Sequence, residues 1–189
     1  VKKNDIKNIL NYARKTNIKY IDTASNYGLS EKVLGNTIKN DFEIISKFSK
    51  IDFKLPSVKE QIESNLKKSL FHLKKKSLYG YLVHEANDLI SSNGKKIVEA
   101  LIHLKKRGKI KKIGVSIYTT TELNKILKIF KPDIIQVPIN ILNQQFLKKN
   151  YLRKIKKLGI EIHARSLFFQ GLLLRDNYKF LPTKNKLRK

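Results

Sequence analysis

The stretch IDTASNYGLSE, residues 21–31, leaves a short apolar run on an acid and enters a helix-like segment through a tyrosine, a glycine and a serine–glutamate pair. It describes one unit: a strand, a polar turn and a helix. Gly28 permits the turn, Ser30 reads as the helix cap and Glu31 as its first-turn acid. The same succession recurs along the chain. Short β-branched or apolar runs at 19–22, 42–47, 79–84, 110–116, 134–137 and 160–164 are expected to be strands, and segments of helical period lie between them. Val58, Ile62, Leu66, Leu70 and Leu73 mark one helix, begun by Pro56 and Ser57. Ile97, Leu101 and Leu104 mark a second, stopped by Gly108; a third runs over 121–130 from a Thr/Glu pair, and a fourth over 152–158 to Gly159. The region of Gly94 and Lys95 and the stretch after Arg175 read as irregular, and no linker divides the 189 residues, so residues 1–189 read as one domain.

Near-continuous apolar strands separated by helices imply parallel pairing through right-handed crossovers. An open doubly wound sheet and a (β/α)8 barrel both satisfy that pattern. The open sheet calls for a glycine-rich phosphate turn after an early strand, and neither GxGxxG nor a P-loop occurs here. The α/β class is therefore read as a (β/α)8 TIM barrel of which six of eight strand–helix units are present, one unit being expected before Val1 and one after Lys189.

Composition narrows the function. The chain has no cysteine, which excludes disulfides, thiol nucleophiles and sulfur-based zinc sites and fits a reducing, cytoplasmic setting. No apolar run reaches the ~20 residues a bilayer requires. The net charge of +26 invites a polyanion, yet only six of the 41 basic residues are arginine, and the lysines are dispersed over helical segments. A solvated basic surface is the preferred reading over a specific nucleic-acid face.

Functional side chains of a parallel barrel gather at the carboxyl ends of its strands. Asp22, Lys47 and His84 close three successive expected strands, and Tyr27 follows the first. Strands about 4.8 Å apart let these four converge. An ammonium beside a phenol favours the phenolate, so Lys47 is expected to lower the pKa of Tyr27, while Asp22 offsets the cost of burying Lys47. His84 can bond a substrate oxygen. Such a set suits protonation of an oxygen that gains negative charge. Each member also has a structural reading: lysine is abundant, Asp22 can cap a turn, and a lone histidine is usually structural, as His72, His103 and His163 are read.

These residues carry a resemblance. IDTASNYGLSEKVLG (21–35) resembles the D-T-A-x-x-Y-G-x-S-E-x-x-L-G motif of the aldo/keto reductases. IISKF (44–48) and YLVH (81–84) are similar to that family's lysine and histidine strands, and EALIHLKKRGKIKKIGVSIY (99–118), IIQVPINIL (134–142) and HARSLFFQGLLL (163–174) continue the match in order. The resemblance implies a (β/α)8 fold and reduction of an aldehyde or ketone with NADP(H), or NAD(H), as cofactor. It implies Tyr27 as general acid, Lys47 and Asp22 as its tuning pair and His84 as the group orienting the carbonyl. For the cofactor it implies Ser116 and Gln136 at the nicotinamide carboxamide, Arg165 where an aromatic ring commonly stacks on the nicotinamide, and Ser166 to Gly171 along the ribose and pyrophosphate. No metal is implied.

Three positions depart from the family pattern. Ile117 replaces an asparagine that contacts the carboxamide, Leu167 replaces a proline, and the charge of Arg165 disfavours an oxidised, cationic ring. Residues 163–174 are closer to a bacterial branch associated with surface-polysaccharide genes, which implies a sugar-linked carbonyl substrate. The family's adenine and 2′-phosphate contacts follow its seventh strand, so this chain is expected to be an incomplete piece of a reductase, with an inactive fragment as one alternative. A non-catalytic nucleotide-binding sensor or regulatory protein of the same fold is the alternative.

Overall fold

The computed structural model describes residues 3–55 and 57–174. An entry helix, α1 (Lys3–Lys15), leads into β1 (Tyr20–Asp22), followed by α2 (Ser30–Thr37), β2 (Glu43–Phe48), α3 (Val58–Leu73) and β3 (Leu78–Val83). Then come α4 (Ala86–Ile90), α5 (Gly94–Lys106), β4 (Ile110–Ser116), α6 (Thr120–Leu127), β5 (Ile134–Pro138), α7 (Tyr151–Lys157) and β6 (Glu161–Arg165). All five pairings are parallel and the spatial order equals the sequence order, β1 to β6. This is the curled sheet of an incomplete (β/α)8 barrel, as the alternation of apolar runs and helical periods predicts.

Alternation along each strand sorts its side chains between two environments. On β2, Ile44 and Phe48 join the core under the helices, whereas Ile45 lies outside that cluster and Lys47 reaches Asp22. Tyr81 and Val83 of β3, Val115 of β4 and Val137 of β5 pack on the helix side with Ile62, Leu66, Leu101, Ile126 and Ile155. On the lumen side Ile45, Leu82 and Ile134 are fully buried. Gly80 and Gly114 make room for them: a Cβ on Gly114 would lie 2.7 Å from Leu82 Cγ and 2.9 Å from the Ile134 carbonyl oxygen.

Helix ends follow local chemistry. Ser57 caps α3 by accepting from the Glu60 amide, while Pro56, expected to begin that helix, lies outside the described residues. Thr119 and Glu122 form a reciprocal capping box on α6. Ser30 does not cap α2; Leu29 occupies that position without a side-chain bond, and the Ser30 hydroxyl pairs with Thr23 Oγ1 at 2.9 Å. Gly94 and Lys95 are not irregular but form the first turn of α5. The expectation for the segment after Arg175 falls outside the described residues.

At the amino ends of the strands Tyr79 donates to the Glu161 carboxylate, which also accepts from Lys112 and lies 3.0 Å from His163 Nε2. The network joins β3, β4 and β6 across the lumen, and His163 is structural here. No helix among the described residues is long and apolar enough to cross a membrane.

Candidate active site

The site begins with the backbone that follows β1. The Thr23 and Ser25 amides donate to the Ile45 and Lys47 carbonyls at 2.9 and 3.0 Å, so the chain keeps tracking β2 after the strand formally ends. The chain then reverses: Tyr27 N bonds Ala24 O, Ser30 N bonds Tyr27 O, and Gly28 adopts φ +58°. Side-chain bonds from Thr23 to Ser30 and from Ser25 to Ser49 fasten both ends. The motif thus sets Tyr27 on a short, tied loop directly above the end of β1.

Lys47 is 1% exposed, yet its ammonium has three oxygen partners: Asp22 Oδ1 at 2.8 Å, Asp22 Oδ2 at 2.7 Å and the Thr23 carbonyl at 2.7 Å. A buried ammonium is tolerable only when it is bonded and paired in this way. Register explains why a long side chain is used. Asp22 stands opposite Ile45, and Lys47 opposite Leu82, so each step around the sheet climbs by about two residues. The lysine stem spans that stagger back to Asp22. Burial lowers the Lys47 pKa, and the attraction and hydrogen bonding of Asp22 oppose the fall.

Tyr27 and His84 complete the group. Lys47 Nζ lies 5.2 Å from the centre of the Tyr27 ring, and the His84 ring meets that ring edge-on with centroids 5.9 Å apart. The four residues chosen from sequence therefore share one end of the sheet. The expected effect of Lys47 on Tyr27 is not what the structure shows. The Tyr27 pKa is raised, first by burial and then by the Asp22 carboxylate, and the lowering charge comes from Arg165. Lys47 is engaged below the ring by its three oxygens, and no hydrogen bond joins the Tyr27 hydroxyl to Lys47 or His84 among the described residues. His84 titrates below its ordinary value, mainly through burial and then through repulsion by Lys47, and its Nδ1 is buried without a partner.

Ser116 and Gln136 stand side by side in register at the ends of β4 and β5. Gln136 Nε2 donates to Asp22 Oδ1 at 2.8 Å, a bond between residues 114 apart that sequence reading did not anticipate. That amide nitrogen is thus already used within the chain. Ile117, the departure from the family pattern, is fully buried in the core under the helices. Arg165 ends β6, and its guanidinium lies 4.2 Å from the Tyr118 ring centre, a stacking partner also missed from sequence. Ser166 and Gly171 follow β6, with φ of +61° and +88°. Two other histidines pair loosely with acids, His72 with Glu31 and His103 with Glu63. Glu31, read only as a first-turn acid, is buried and accepts from Ser46 at 2.6 Å. Among the described residues no group of His, Cys, Asp or Glu could hold a metal ion. An open concavity of about 630 Å³ lies at the opposite end of the strands, walled by Lys19, Asp41, Glu43 and Lys74 to Lys76, away from these side chains.

The family model for aldo/keto reductases matches residues 1–189. No curated protein sequence matches the chain. Solved structures do: an aldo-keto reductase of Pseudomonas aeruginosa described as putative is 25% identical, with TM-score 0.74, over 87% of this chain and 66% of that one. A glycerol dehydrogenase of Gluconobacter oxydans is 23% identical with TM-score 0.74, covering 96% of this chain and 59% of that one. An aldo-keto reductase of Klebsiella pneumoniae in complex with NADPH is 21% identical with TM-score 0.75, covering 92% and 61%. The chain thus spans about 59–66% of the length of these proteins. A sequence match over every residue, joined to a shared fold, assigns the chain to the aldo/keto reductase family.

Proposed function

We propose that this chain carries the catalytic half of an NADP(H)-dependent reductase that converts an aldehyde or ketone to an alcohol. One observation carries the reading: a fully buried ammonium, Lys47, is held by Asp22 and Thr23 beneath a tyrosine and a histidine, at the strand ends where barrel active sites lie. Tyr27 carries its proton at neutral pH, as an ordinary tyrosine does, and so is in the form a proton donor requires; burial and Asp22 raise its pKa, which works against release, and the charge of Arg165 opposes them. Its hydroxyl releases that proton to a carbonyl oxygen as negative charge builds there. Arg165, the neighbouring charge that lowers the Tyr27 pKa, stabilises the developing phenolate, Lys47 is held by Asp22 and Thr23 beneath the ring, and the neutral imidazole of His84 orients the oxygen by a hydrogen bond. Positioned proton donation of this kind contributes about 10²–10⁴-fold.

A bound nicotinamide nucleotide supplies the hydride. The residues present fit one: the Gln136 amide oxygen and the Ser116 hydroxyl, adjacent at two strand ends, suit a carboxamide, and the Arg165 cation suits the neutral, reduced ring better than the oxidised one. The NADPH complex of the Klebsiella pneumoniae relative supports the choice of nucleotide. The resemblance of residues 163–174 supports a sugar-linked substrate.

The test is carbonyl-dependent loss of NADPH absorbance over a panel of aldehydes, with Tyr27→Phe beside the parent chain. Turnover in the parent and a loss of at least about 10²-fold in the variant are expected; a variant as active as its parent refutes the role of Tyr27. The unbonded Tyr27 hydroxyl favours a second reading, a nucleotide-binding protein without turnover. Tight NADPH binding with no oxidation of any aldehyde selects it.

A further inference from the structure

One charged group at this mouth has no counterpart among the described residues. Arg165 Nε and Nη2 are shielded from solvent and have no hydrogen-bond partner, and no described carboxylate pairs with the guanidinium. These two nitrogens share one edge of the guanidinium plane, the edge that grips two oxygens of a carboxylate or phosphate in parallel. The Tyr118 ring, its centre 4.2 Å from the guanidinium carbon, restrains the group, so less freedom is left to lose when an oxyanion arrives. Leaving such donors dry and unpaired works against stability.

The local charges do not cancel. Asp22 is already bonded to Lys47 and Gln136 and cannot also answer Arg165. Glu85, next to His84, is exposed and joins no ion pair with Arg165. Lys47 and Arg165 therefore face one bonded carboxylate, with His84 and Tyr27 uncharged at neutral pH. Arg165 stands opposite Pro138, two residues beyond the pair of Gln136 with His163, and Gln136 bonds Asp22, so Arg165 lies at the end of the sheet that carries the groups assigned to the carbonyl oxygen.

We propose that Arg165 determines substrate class, gripping through its Nε–Nη2 edge a carboxylate carried by the carbonyl substrate, so that the preferred substrates are oxo acids. The inference rests on the reductase reading above and deepens it. A phosphate of the nucleotide offers the same chemistry. The substrate is preferred as the source because Arg165 ends β6 at the same end of the sheet as the residues assigned to the reacting oxygen.

The test compares 5-oxopentanoate with its methyl ester, which keeps the aldehyde and removes the charge. In the parent chain kcat/KM is expected to favour the acid by about 10- to 100-fold, the scale of charge-assisted hydrogen bonds. That ratio falls to near one in Arg165→Gln and to an intermediate value in Arg165→Lys, which keeps the charge and loses the fork. Because the readout is a ratio, a general loss of rate does not imitate it. An unchanged ratio in Arg165→Gln overturns the proposal. Weaker NADPH binding with an unchanged ratio also overturns it, by giving the oxyanion to the nucleotide.

A second readout needs no turnover. Calorimetric binding of glutarate to the chain without nucleotide should be lost in Arg165→Gln. Nonspecific attraction to a chain of net charge +26 survives the loss of one charge, so equal binding by both proteins overturns the grip. If no aldehyde is reduced while glutarate binding still depends on Arg165, the reductase reading fails and the oxyanion grip stands.

Discussion

Replacing Asp22 by Asn isolates what the carboxylate does for Lys47. The ammonium is 1% exposed and takes two of its three short bonds from Asp22. Stripping a buried pair of one partner costs about 3–5 kcal/mol. The Asp22 side chain is 40% exposed, so solvent screens part of the attraction, and the amide retains one acceptor; a loss of about 2–3 kcal/mol at pH 7 is expected. For a domain of this size that corresponds to a fall in Tm of about 4–12 °C.

The pH dependence carries the diagnosis. Burial already holds the folded-state pKa of Lys47 below its ordinary value, and Asp22 is the group that raises it, so Asp22→Asn drops it further. Between that lowered value and the ordinary one the unfolded chain binds more protons than the folded chain, and stability rises with pH across that window. The penalty of the variant is therefore complete at pH 7 and fades as pH climbs towards the unfolded lysine value of about 10.4. Urea unfolding followed by circular dichroism, variant minus parent, should show the difference at least halved at pH 10. Removing the charge as well, in Asp22→Asn/Lys47→Met, should restore part of the loss and show the two sites to be non-additive. A penalty equal at pH 7 and pH 10, or one below about 0.5 kcal/mol, the scale of an ordinary surface change, refutes the account.

Other outcomes follow from single features. With its pKa raised, Tyr27 holds its proton at neutral pH; aldehyde reduction should therefore persist through pH 9 and decline only as pH rises above the ordinary tyrosine value of about 10, whereas a decline centred near pH 7 would contradict Tyr27 as donor. Gly114→Ala drives a methyl group against Leu82 and the Ile134 carbonyl, and thermal unfolding should show a loss of about 1–3 kcal/mol. Thr119→Ala removes the α6 capping box and should cost about 1 kcal/mol in the same assay, with no loss meaning that the box contributes nothing to stability.

The strands were legible because parallel strands buried on both sides read as nearly unbroken apolar runs; the expected strand at 110–116 coincides with β4 (Ile110–Ser116). The convergence of Asp22, Tyr27, Lys47 and His84 was legible for a related reason, since strand ends are visible in a sequence and barrels place side chains there. Gly94 misled because glycine is read as a breaker. It serves close approach instead: a Cβ there would sit 1.8 Å from the Leu89 carbonyl oxygen where α4 and α5 meet. Ser30 misled because its hydroxyl had a nearer partner in Thr23 than the helix amides. The Gln136 to Asp22 bond and the contact of Arg165 with Tyr118 join segments far apart in the chain, and no local pattern encodes them. The sign of the Tyr27 shift was out of reach for the same cause, because it depends on which neighbour's charge is nearest and how far the ring is buried.

The strict sequential order of the strands bears on how the molecule is made. Each strand docks beside the one synthesised just before it, so an emerging polypeptide can extend the sheet from its leading edge without waiting for distant partners. Asp22, Tyr27, Lys47 and His84 can assemble while the second half of the chain is still on the ribosome. Gln136 and Arg165 follow later, so the groups proposed to handle the proton come together before the residues proposed to complete the ligand cradle.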